Sequence, residues 1–183
     1  METEYIEESV RVRLILAGLS ELEEHGIADF SLRRAAAKAQ VSCAAPYRHF
    51  DSKEEFIKEI IKYVNSQWEL LSRHLNRVFS SDPARLAVEI SIANIKFWIA
   101  NHNYRSVFTV ALGSDLDFCL DRAVVDAVKA YADHKGLTED ERSIKEYTVR
   151  ALIAGSVMLV GSGSGEQILS VARKKLELEF LGK

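Results

Sequence analysis

Apolar side chains recur at steps of three and four residues along one long stretch of the sequence. The repeat consists of Phe56, Ile60, Val64, Trp68, Leu71, Leu75 and Val78. Residues at this spacing share one face of an α-helix, because the helix has about 3.6 residues per turn. Ser52 and Glu55 precede the repeat in the Ser-x-x-Glu pattern of a helix capping box. The pattern predicts a helix of about 27 residues, roughly 40 Å long, and therefore a chain organised around long helices.

Residues that break helices are scarce in the rest of the chain. Two prolines and nine glycines occur among 183 residues, and no alternating apolar run is paired with a hairpin turn. Capping residues, among them Asp82 before Pro83 and the Thr138–Glu141 capping box, and helical periodicity predict an all-α fold of about nine helices. The predicted helices cover residues 5–25, 32–39, 43–49, 53–80, 83–101, 104–112, 118–134, 139–160 and 166–181.

The composition of the chain excludes several classes of protein. The chain is 48% hydrophobic and 28% charged, as ordinary globular proteins are. Charged residues interrupt each apolar stretch before it could span a membrane. The acidic start METEYIEES has no apolar core of a secretory signal. We therefore expect a cytoplasmic protein without a membrane partner.

Patterns typical of catalysis, metal binding or cofactor binding are also missing from the sequence. The two cysteines and five histidines have no metal-ligand spacing. GSGSG at 161–165 follows a predicted helix and lacks the lysine of a phosphate loop, so it predicts a flexible joint between helices. No nucleophile elbow is present. We expect no enzymatic activity, no metal and no cofactor.

Positive charge is concentrated in one short segment. The net charge of the chain is −3, which disfavours indiscriminate binding to nucleic acid. Residues 1–30 carry two arginines and eight acidic residues, whereas residues 31–50 carry four basic residues and no acidic one. The basic residues are Arg33, Arg34, Lys38 and Arg48. This segment is therefore the candidate site for a polyanionic partner.

The basic segment has the layout of a helix-turn-helix. Ser31 can cap one short helix, and Ser42 can cap a second one after a tight turn. The second helix opens with three small residues, Cys43, Ala44 and Ala45. Small side chains allow a recognition helix to approach base edges in the major groove, and alanine can contact a thymine methyl group. The pattern predicts binding to double-stranded DNA.

Hydrogen-bonding and cationic side chains flank the small residues. Tyr47 and His49 carry polar tips that can reach phosphate oxygens, and Lys53 lies at the start of the long helix. Phe50 is expected in the core of the small domain. The predicted DNA-binding residues are Ser31, Arg33, Ser42, Cys43, Ala44, Ala45, Tyr47, Arg48, His49 and Lys53.

Three stretches of the sequence resemble the DNA-binding domain of the tetracycline-repressor (TetR) family of bacterial transcription regulators. They are LEEHG at 22–26, SLRRAAAKAQVS at 31–42 and YRHFDSKEEF at 47–56. The resemblance implies that the residues at the matching positions contact the DNA backbone. These residues are Ser31, Tyr47, His49 and Lys53.

Three residues depart from the family pattern. Gln40 stands where glycine is usual, so the turn requires a non-glycine residue, with a positive φ as the expected strain. Ala35 replaces a larger aliphatic residue and predicts a thinner core between the first helices. Pro46 replaces an apolar residue, and it is tolerated because it lies within about one turn of the predicted helix start.

The functional boundary is expected near Ser52. Residues 1–52 form the predicted DNA-binding domain, with the helix-turn-helix at 31–50, and residues 53–183 form a helical regulatory and dimerisation domain. The predicted helix at 143–160 is apolar or small nearly all round, so it needs partners on both flanks. The resemblance implies that the last two helices form a four-helix bundle with their twins. The predicted interface comprises Tyr147, Ala151, Ala154, Gly155, Met158, Ile168, Ala172 and Leu176.

A two-fold dimer would present two recognition helices about 34–36 Å apart, or at a longer spacing compatible with the helical turn. The operator is therefore expected to be palindromic. Aromatic residues of the second domain could line a cavity for an unidentified apolar or amphipathic small-molecule effector. The polar candidates near it, each more simply explained as a surface residue, are Asn94, Lys96, His102 and Asn103.

The sequence thus predicts a regulator that responds to a ligand, in the first place a repressor. An effector that prefers a conformation with misplaced recognition helices would release the dimer from DNA. The long helix at 53–80 is the expected lever, because it begins beside the DNA and continues into the regulatory core. The sequence assigns no ligand-binding residue.

Two alternatives remain open at this point. The chain could be an all-helical interaction protein that keeps a helix-turn-helix scaffold without binding DNA, and Gln40, Ala35 and the net charge of −3 favour this interpretation. The thiol of Cys43 could sense oxidants, although no second cysteine is near in sequence to form a disulfide. Salt-dependent binding to a palindromic DNA distinguishes a regulator from an interaction protein.

Overall fold

The computed structural model describes residues 2–101, 104, 119–160 and 164–182. These residues form eight α-helices and contain no β-strand. The helices are α1 (Glu2–His25), α2 (Leu32–Lys38), α3 (Pro46–His49), α4 (Lys53–Val78), α5 (Pro83–Ala100), α6 (Cys119–Lys135), α7 (Glu139–Leu159) and α8 (Gly165–Leu181). The predicted all-α fold class is confirmed. The helix predicted at 104–112 lies outside the described residues apart from Tyr104, and so do residues 161–163 of the predicted joint.

Predicted caps are found at the starts of three helices. The Oγ atom of Ser31 accepts a hydrogen bond from the backbone N–H of Arg34 at 3.4 Å. Thr138 and Glu141 form a capping box, in which each side chain accepts a bond from the backbone N–H of the other residue. Asp82 caps α5. These bonds satisfy N–H groups that have no partner within their own helix.

The described residues divide into two compact units. The first contains residues 2–66 and Tyr104, and the second contains residues 67–101, 119–160 and 164–182. The division falls within α4, so this helix contributes residues to both units. Helices α1, α2 and α3 belong entirely to the first unit.

Three phenylalanines form the centre of the first unit. The ring centroids of Phe50 and Phe56 are 4.3 Å apart, and those of Phe30 and Phe56 are 5.7 Å apart. Phe50 is 2% exposed, which confirms its predicted place in the core. Gly18 of α1 allows close approach to α4, because a Cβ atom at this position would lie 2.7 Å from Cδ1 of Ile60. The cluster fixes the residues that follow α3 against the start of α4.

Helix α5 is the central helix of the second unit. It packs against α6, α7 and α8, and ten of its eighteen residues are buried. Phe97 contacts Trp68 and Trp98 edge to face, with ring centroids 5.7 Å and 5.8 Å apart. Tyr131 and Phe180 make a similar contact between α6 and α8 at 4.9 Å. Aromatic residues therefore supply much of this core.

Candidate nucleic-acid interface

The turn after α2 is closed by two backbone hydrogen bonds. The N–H of Gln40 donates to the carbonyl of Ala37, and the N–H of Val41 donates to the carbonyl of Ala36, both at 3.1 Å. This pair of bonds is a Schellman motif, which requires a left-handed residue after the last helical residues. Gln40 has a φ of 57° and is the only non-glycine residue with a positive φ in the described part of the chain. The strained turn predicted at Gln40 is confirmed.

Helix α3 is shorter than the sequence analysis predicted. It spans Pro46–His49, and Ala45 precedes it without a side-chain cap. Cys43 and Ala44 lie in a turn closed by a 2.9 Å bond from the Ala45 N–H to the Ser42 carbonyl. The predicted helix start at Ser42 was therefore wrong. The helix begins later than predicted because Pro46 has no N–H to donate to the Ser42 carbonyl one helical turn earlier.

The small residues remain accessible in this shorter arrangement. Cys43 and Ala44 are exposed and Ala45 is half-buried, whereas Pro46 is buried. The three small side chains thus lie on a surface turn that leads into α3. We call residues 42–49, this turn together with α3, the reading segment.

The predicted polar contacts are also accessible. Tyr47 is 66% exposed, Arg48 is exposed and His49 is half-buried. Of the residues outside the reading segment, Arg33 is exposed, and Ser31 and Lys53 are half-buried. The Nζ atom of Lys53 lies 3.5 Å from the carbonyl oxygen of Ala28. None of the ten predicted DNA-binding residues is buried.

A buried carboxylate of α1 was missed by the sequence analysis. Glu21 is completely buried, and one of its carboxylate oxygens lies 2.6 Å from Nε of Arg34. The other oxygen lies 3.2 Å from Nζ of Lys38. Burial acts to raise the pKa of Glu21, but the bonds from Arg34 and Lys38 outweigh it and hold the pKa below its usual value. The position of Glu21 within the apolar stripe of Leu14, Ala17 and Leu22 was the available signal.

The basic segment is therefore less positive at its surface than its sequence indicates. Arg34 and Lys38 are paired with Glu21, and Lys38 also lies 2.7 Å from a carboxylate oxygen of Glu24. Arg33 and Arg48 are exposed, and no acidic side chain among the described residues pairs with either. The two unpaired arginines are the strongest candidates for phosphate contacts.

The predicted dimer residues lie in the second unit, on α7 and α8. Tyr147, Ala151, Gly155 and Met158 are exposed, and Ala154 and Ile168 are half-buried. Ala172 and Leu176 are each 1% exposed because they lie on the inner face of α8, together with Phe180. These two residues pack within their own unit, so the predicted interface is corrected at both positions. Exposed apolar residues that the prediction omitted are Ile144, Leu159, Val171 and Leu178.

A groove of about 450 Å³ lies between α4, α5 and α8 in the second unit. Its apolar wall contains Leu71, Leu75, Ile92 and Phe97, and its charged residues are Glu89, Lys96 and Arg173. Arg173 donates two hydrogen bonds of 2.9 Å to the Glu89 carboxylate. These bonds hold the pKa of Glu89 below its usual value, despite the burial that acts to raise it.

The polar ligand candidates have different positions. Lys96 lines this groove, whereas Asn94 is buried within α5. His102 and Asn103 lie outside the described residues. Across the described ranges, no cluster of three or more potential metal ligands occurs, and no helix is long and apolar enough to cross a membrane.

Three helices, a strained turn and an accessible reading segment define a helix-turn-helix DNA-binding domain. Residues 14–60 match the family model described as "Bacterial regulatory proteins, tetR family". Residues 14–60 are therefore a DNA-binding domain of the TetR family, and the chain is a DNA-binding transcriptional regulator. This family consists of regulators and not of enzymes, in agreement with the prediction from the sequence. No curated protein sequence matches the chain.

Solved structures share the fold over nearly the whole chain. The transcriptional regulator FadR from Bacillus subtilis, in complex with stearoyl-CoA, is 14% identical with a TM-score of 0.67, and the match covers 94% of this chain and 98% of that one. A putative fatty acid metabolism regulator from Clostridium perfringens is 12% identical with a TM-score of 0.73, covering 93% and 98%. A putative TetR-family regulator from Syntrophomonas wolfei is 14% identical with a TM-score of 0.74, covering 96% of each chain. At these identities the similarity concerns the fold.

The strained turn generates a testable prediction. Gln40→Gly is expected to raise the free energy of unfolding by about 1 kcal/mol, because glycine adopts a positive φ without a Cβ clash. Gln40→Ala retains the Cβ atom and is expected to give no such gain. Chemical denaturation of the two variants and the parent measures the difference. A stability gain for alanine equal to that for glycine would contradict this account of the turn.

Proposed function

We propose that the chain is a ligand-responsive repressor that binds a palindromic operator as a homodimer in the cytoplasm. We assign DNA binding to residues 1–52, and effector binding and dimerisation to residues 53–183. The observation that carries the proposal is the accessible reading segment, with small side chains in its turn and exposed arginines beside it. In this proposal α4, which contributes to both compact units, transmits the effect of the ligand.

The reading segment can divide base and phosphate contacts between its two parts. Cys43, Ala44 and Ala45 have side chains too short to hold the backbone away from the base edges of the major groove. Tyr47 and His49 lie one turn further along and can donate hydrogen bonds to phosphate oxygens. Small residues would therefore face the bases, and the polar residues would fix the orientation of the segment on the duplex.

Phosphate contacts predict a specific dependence of affinity on salt. Removal of one phosphate-binding cation is expected to reduce the slope of log K against log salt by about 0.9. Arg48→Gln should therefore weaken binding to the DNA upstream of the protein's own gene and reduce the slope. Lys129→Gln removes an exposed cation of α6 and is the control that should change neither. Fluorescence anisotropy over a range of salt concentrations measures both quantities.

Binding that does not depend on salt would contradict the proposed interface. An equal loss of DNA affinity on Lys129→Gln would also contradict the proposed interface, because Lys129 lies in the second unit. A parent protein that binds no palindromic site would favour the interaction protein over the operator-binding repressor.

An exposed apolar stripe on α7 supports the homodimer. Ile144, Tyr147, Ala151, Gly155 and Met158 follow each other at steps of three or four residues and are all exposed. This spacing places them on one face of the helix. No atom lies within 4 Å of an added Cβ at Gly155, so the helix has room for a close neighbour there.

A second stripe and a groove extend the same surface to α8. Val171 and Leu178 are exposed two turns apart. A groove of about 460 Å³ between α7 and α8 is lined mainly by apolar and small residues. Contiguous exposed apolar surface on adjacent helices is typical of a protein interface. We therefore propose that α7 and α8 pack against their twins in the dimer.

Charge placed in this stripe should separate the protomers. Met158→Glu is expected to shift the protein from dimer to monomer at micromolar concentration, because the interface would have to bury an unpaired carboxylate. Leu70→Glu is the matched control, since Leu70 is 65% exposed on α4 and Met158 is 58% exposed on α7. Sedimentation equilibrium measures the mass of each variant. A monomeric parent, or equal dissociation of both variants, would contradict the proposed interface.

Two observations support an amphipathic effector. The groove between α4, α5 and α8 combines an apolar wall with the exposed cation of Lys96, while Arg173 is paired with Glu89, and its volume is within the range of ligand sites. A structure of similar fold was solved with stearoyl-CoA, and another is of a putative fatty acid metabolism regulator. We propose a fatty acyl compound as the effector class, with its anionic part near Lys96.

Stearoyl-CoA is expected to weaken operator binding by its preference for the DNA-free conformation. Lys96→Glu should reduce this response, because it places a negative charge beside the anionic part of the ligand. Lys129→Glu makes the same charge change away from the groove and should leave the response intact. Titration of the protein–DNA complex with stearoyl-CoA measures the response. An unchanged DNA affinity would contradict this effector class, and equal responses of both variants would contradict this site.

A further inference from the structure

We propose that Glu21 is a positioning residue that determines which basic residues of the helix-turn-helix are free to contact DNA. It holds Arg34 and Lys38 in ion pairs and leaves Arg33 and Arg48 to the phosphates of DNA. The inference rests on the proposed phosphate contacts, and it adds a residue of α1 that touches no DNA itself. It also assigns opposite tasks to two arginines that are adjacent in sequence.

One carboxylate holds α2 along its whole length. A carboxylate oxygen of Glu21 accepts the backbone N–H of Ser31, the N-cap of α2, at 3.3 Å. Arg34 in the first turn and Lys38, the last residue of the helix, reach the same carboxylate at 2.6 Å and 3.2 Å. A guanidinium nitrogen of Arg34 also donates to the carbonyl oxygen of Asp29 in the connector before α2. Glu21 of α1 therefore contacts the start and the end of α2, and Arg34 links the connector before α2 to the same cluster.

The apolar contacts of α2 are too small to fix its position alone. Its buried residues are Ala35 and Ala36, and the area buried by alanine is far less than that of a larger aliphatic side chain. A buried carboxylate without partners would be strongly unfavourable, so an arrangement of α2 that keeps Arg34 and Lys38 beside Glu21 is preferred over arrangements that separate them. The hydrogen bonds and ion pairs of Glu21 thus fix the position of α2, which its small apolar contacts alone would not fix.

The same bonds determine which positive charges remain unpaired. Successive residues of a helix point about 100° apart, so Arg33 points to solvent while Arg34 points towards Glu21. The pairing leaves two unpaired arginines, Arg33 and Arg48, where the sequence of the segment offers four basic residues, and the paired Arg34 side chain is still 45% exposed. Fewer free cations reduce the sequence-independent part of DNA binding, which raises the ratio of specific to non-specific affinity.

The adjacent arginines provide a matched test in the full-length protein. Arg33→Gln is expected to reduce the slope of log K against log salt for the operator by about 0.9. Arg34→Gln is expected to leave this slope unchanged and to lower the unfolding temperature, because it leaves Glu21 with one cation fewer. An equal reduction of the slope by Arg34→Gln would overturn the proposal. An unchanged slope for Arg33→Gln would overturn it as well.

Glu21→Gln gives a readout that a purely structural role would not move. It should release Arg34 and Lys38, so that affinity for non-operator DNA rises and the salt slope steepens, while affinity for the operator falls. Glu54→Gln removes one exposed negative charge from the same unit and should raise both affinities together. If Glu21→Gln lowers both affinities, or raises both as the control does, the proposed role of Glu21 as a positioning residue is overturned.

A double-mutant cycle tests the cluster without DNA. The unfolding temperatures of Glu21→Gln, Arg34→Gln and the double variant should be non-additive, with the double variant less destabilised than the sum of the single effects. Additive effects would overturn the coupling between Glu21 and Arg34. The cycle separates this proposal from the proposed function, because a parent that failed to bind DNA would contradict that function while the cycle still decided the role of Glu21.

Discussion

The burial of Phe50 against Phe56 is the contact on which the reading segment depends. Helix α3 has four residues, and a helix of this length is not stable through its own backbone bonds. Phe50 follows it directly, packs 4.3 Å from Phe56 between ring centroids, and lies under the guanidinium group of Arg11 at 5.6 Å. Burial of such a side chain contributes about 1.5–3 kcal/mol. One apolar anchor therefore allows the residues before it to remain exposed.

The anchor at Phe50 and the cluster around Glu21 fix the two ends of the helix-turn-helix by different means. Phe50 holds the end of α3 by apolar packing, and Glu21 holds α2 by charged hydrogen bonds. Between them lies the strained turn at Gln40. A turn of this kind persists where the surrounding structure over-determines it, which the two anchors do. The scaffold can thus present small side chains on a surface turn without losing its shape.

Local rules predicted much of this structure from the sequence. Caps at Ser31 and Thr138, the positive φ of Gln40 and the buried ring of Phe50 each follow from chemistry within a few residues. Non-local features were missed. The cluster around Glu21 joins residues of two helices, and only their packing shows that Arg34 is paired with Glu21.

The remaining errors have identifiable causes. The start of α3 was misplaced because the missing N–H of Pro46 outweighed the capping tendency of Ser42. Ala172 and Leu176 were assigned to the interface because helical periodicity shows that a stripe is apolar without showing what covers it. The structure places them in the core of their own unit.

Chemical modification of Cys43 tests the central claim most directly. The chain has two cysteines, so a Cys119→Ser variant leaves Cys43, which is exposed, as the single reactive thiol. Its rate of alkylation by a small maleimide should fall sharply when saturating operator DNA is added, because the turn at 43–45 would then face the bases of the major groove. An alkylation rate that is the same with and without bound operator would contradict the account.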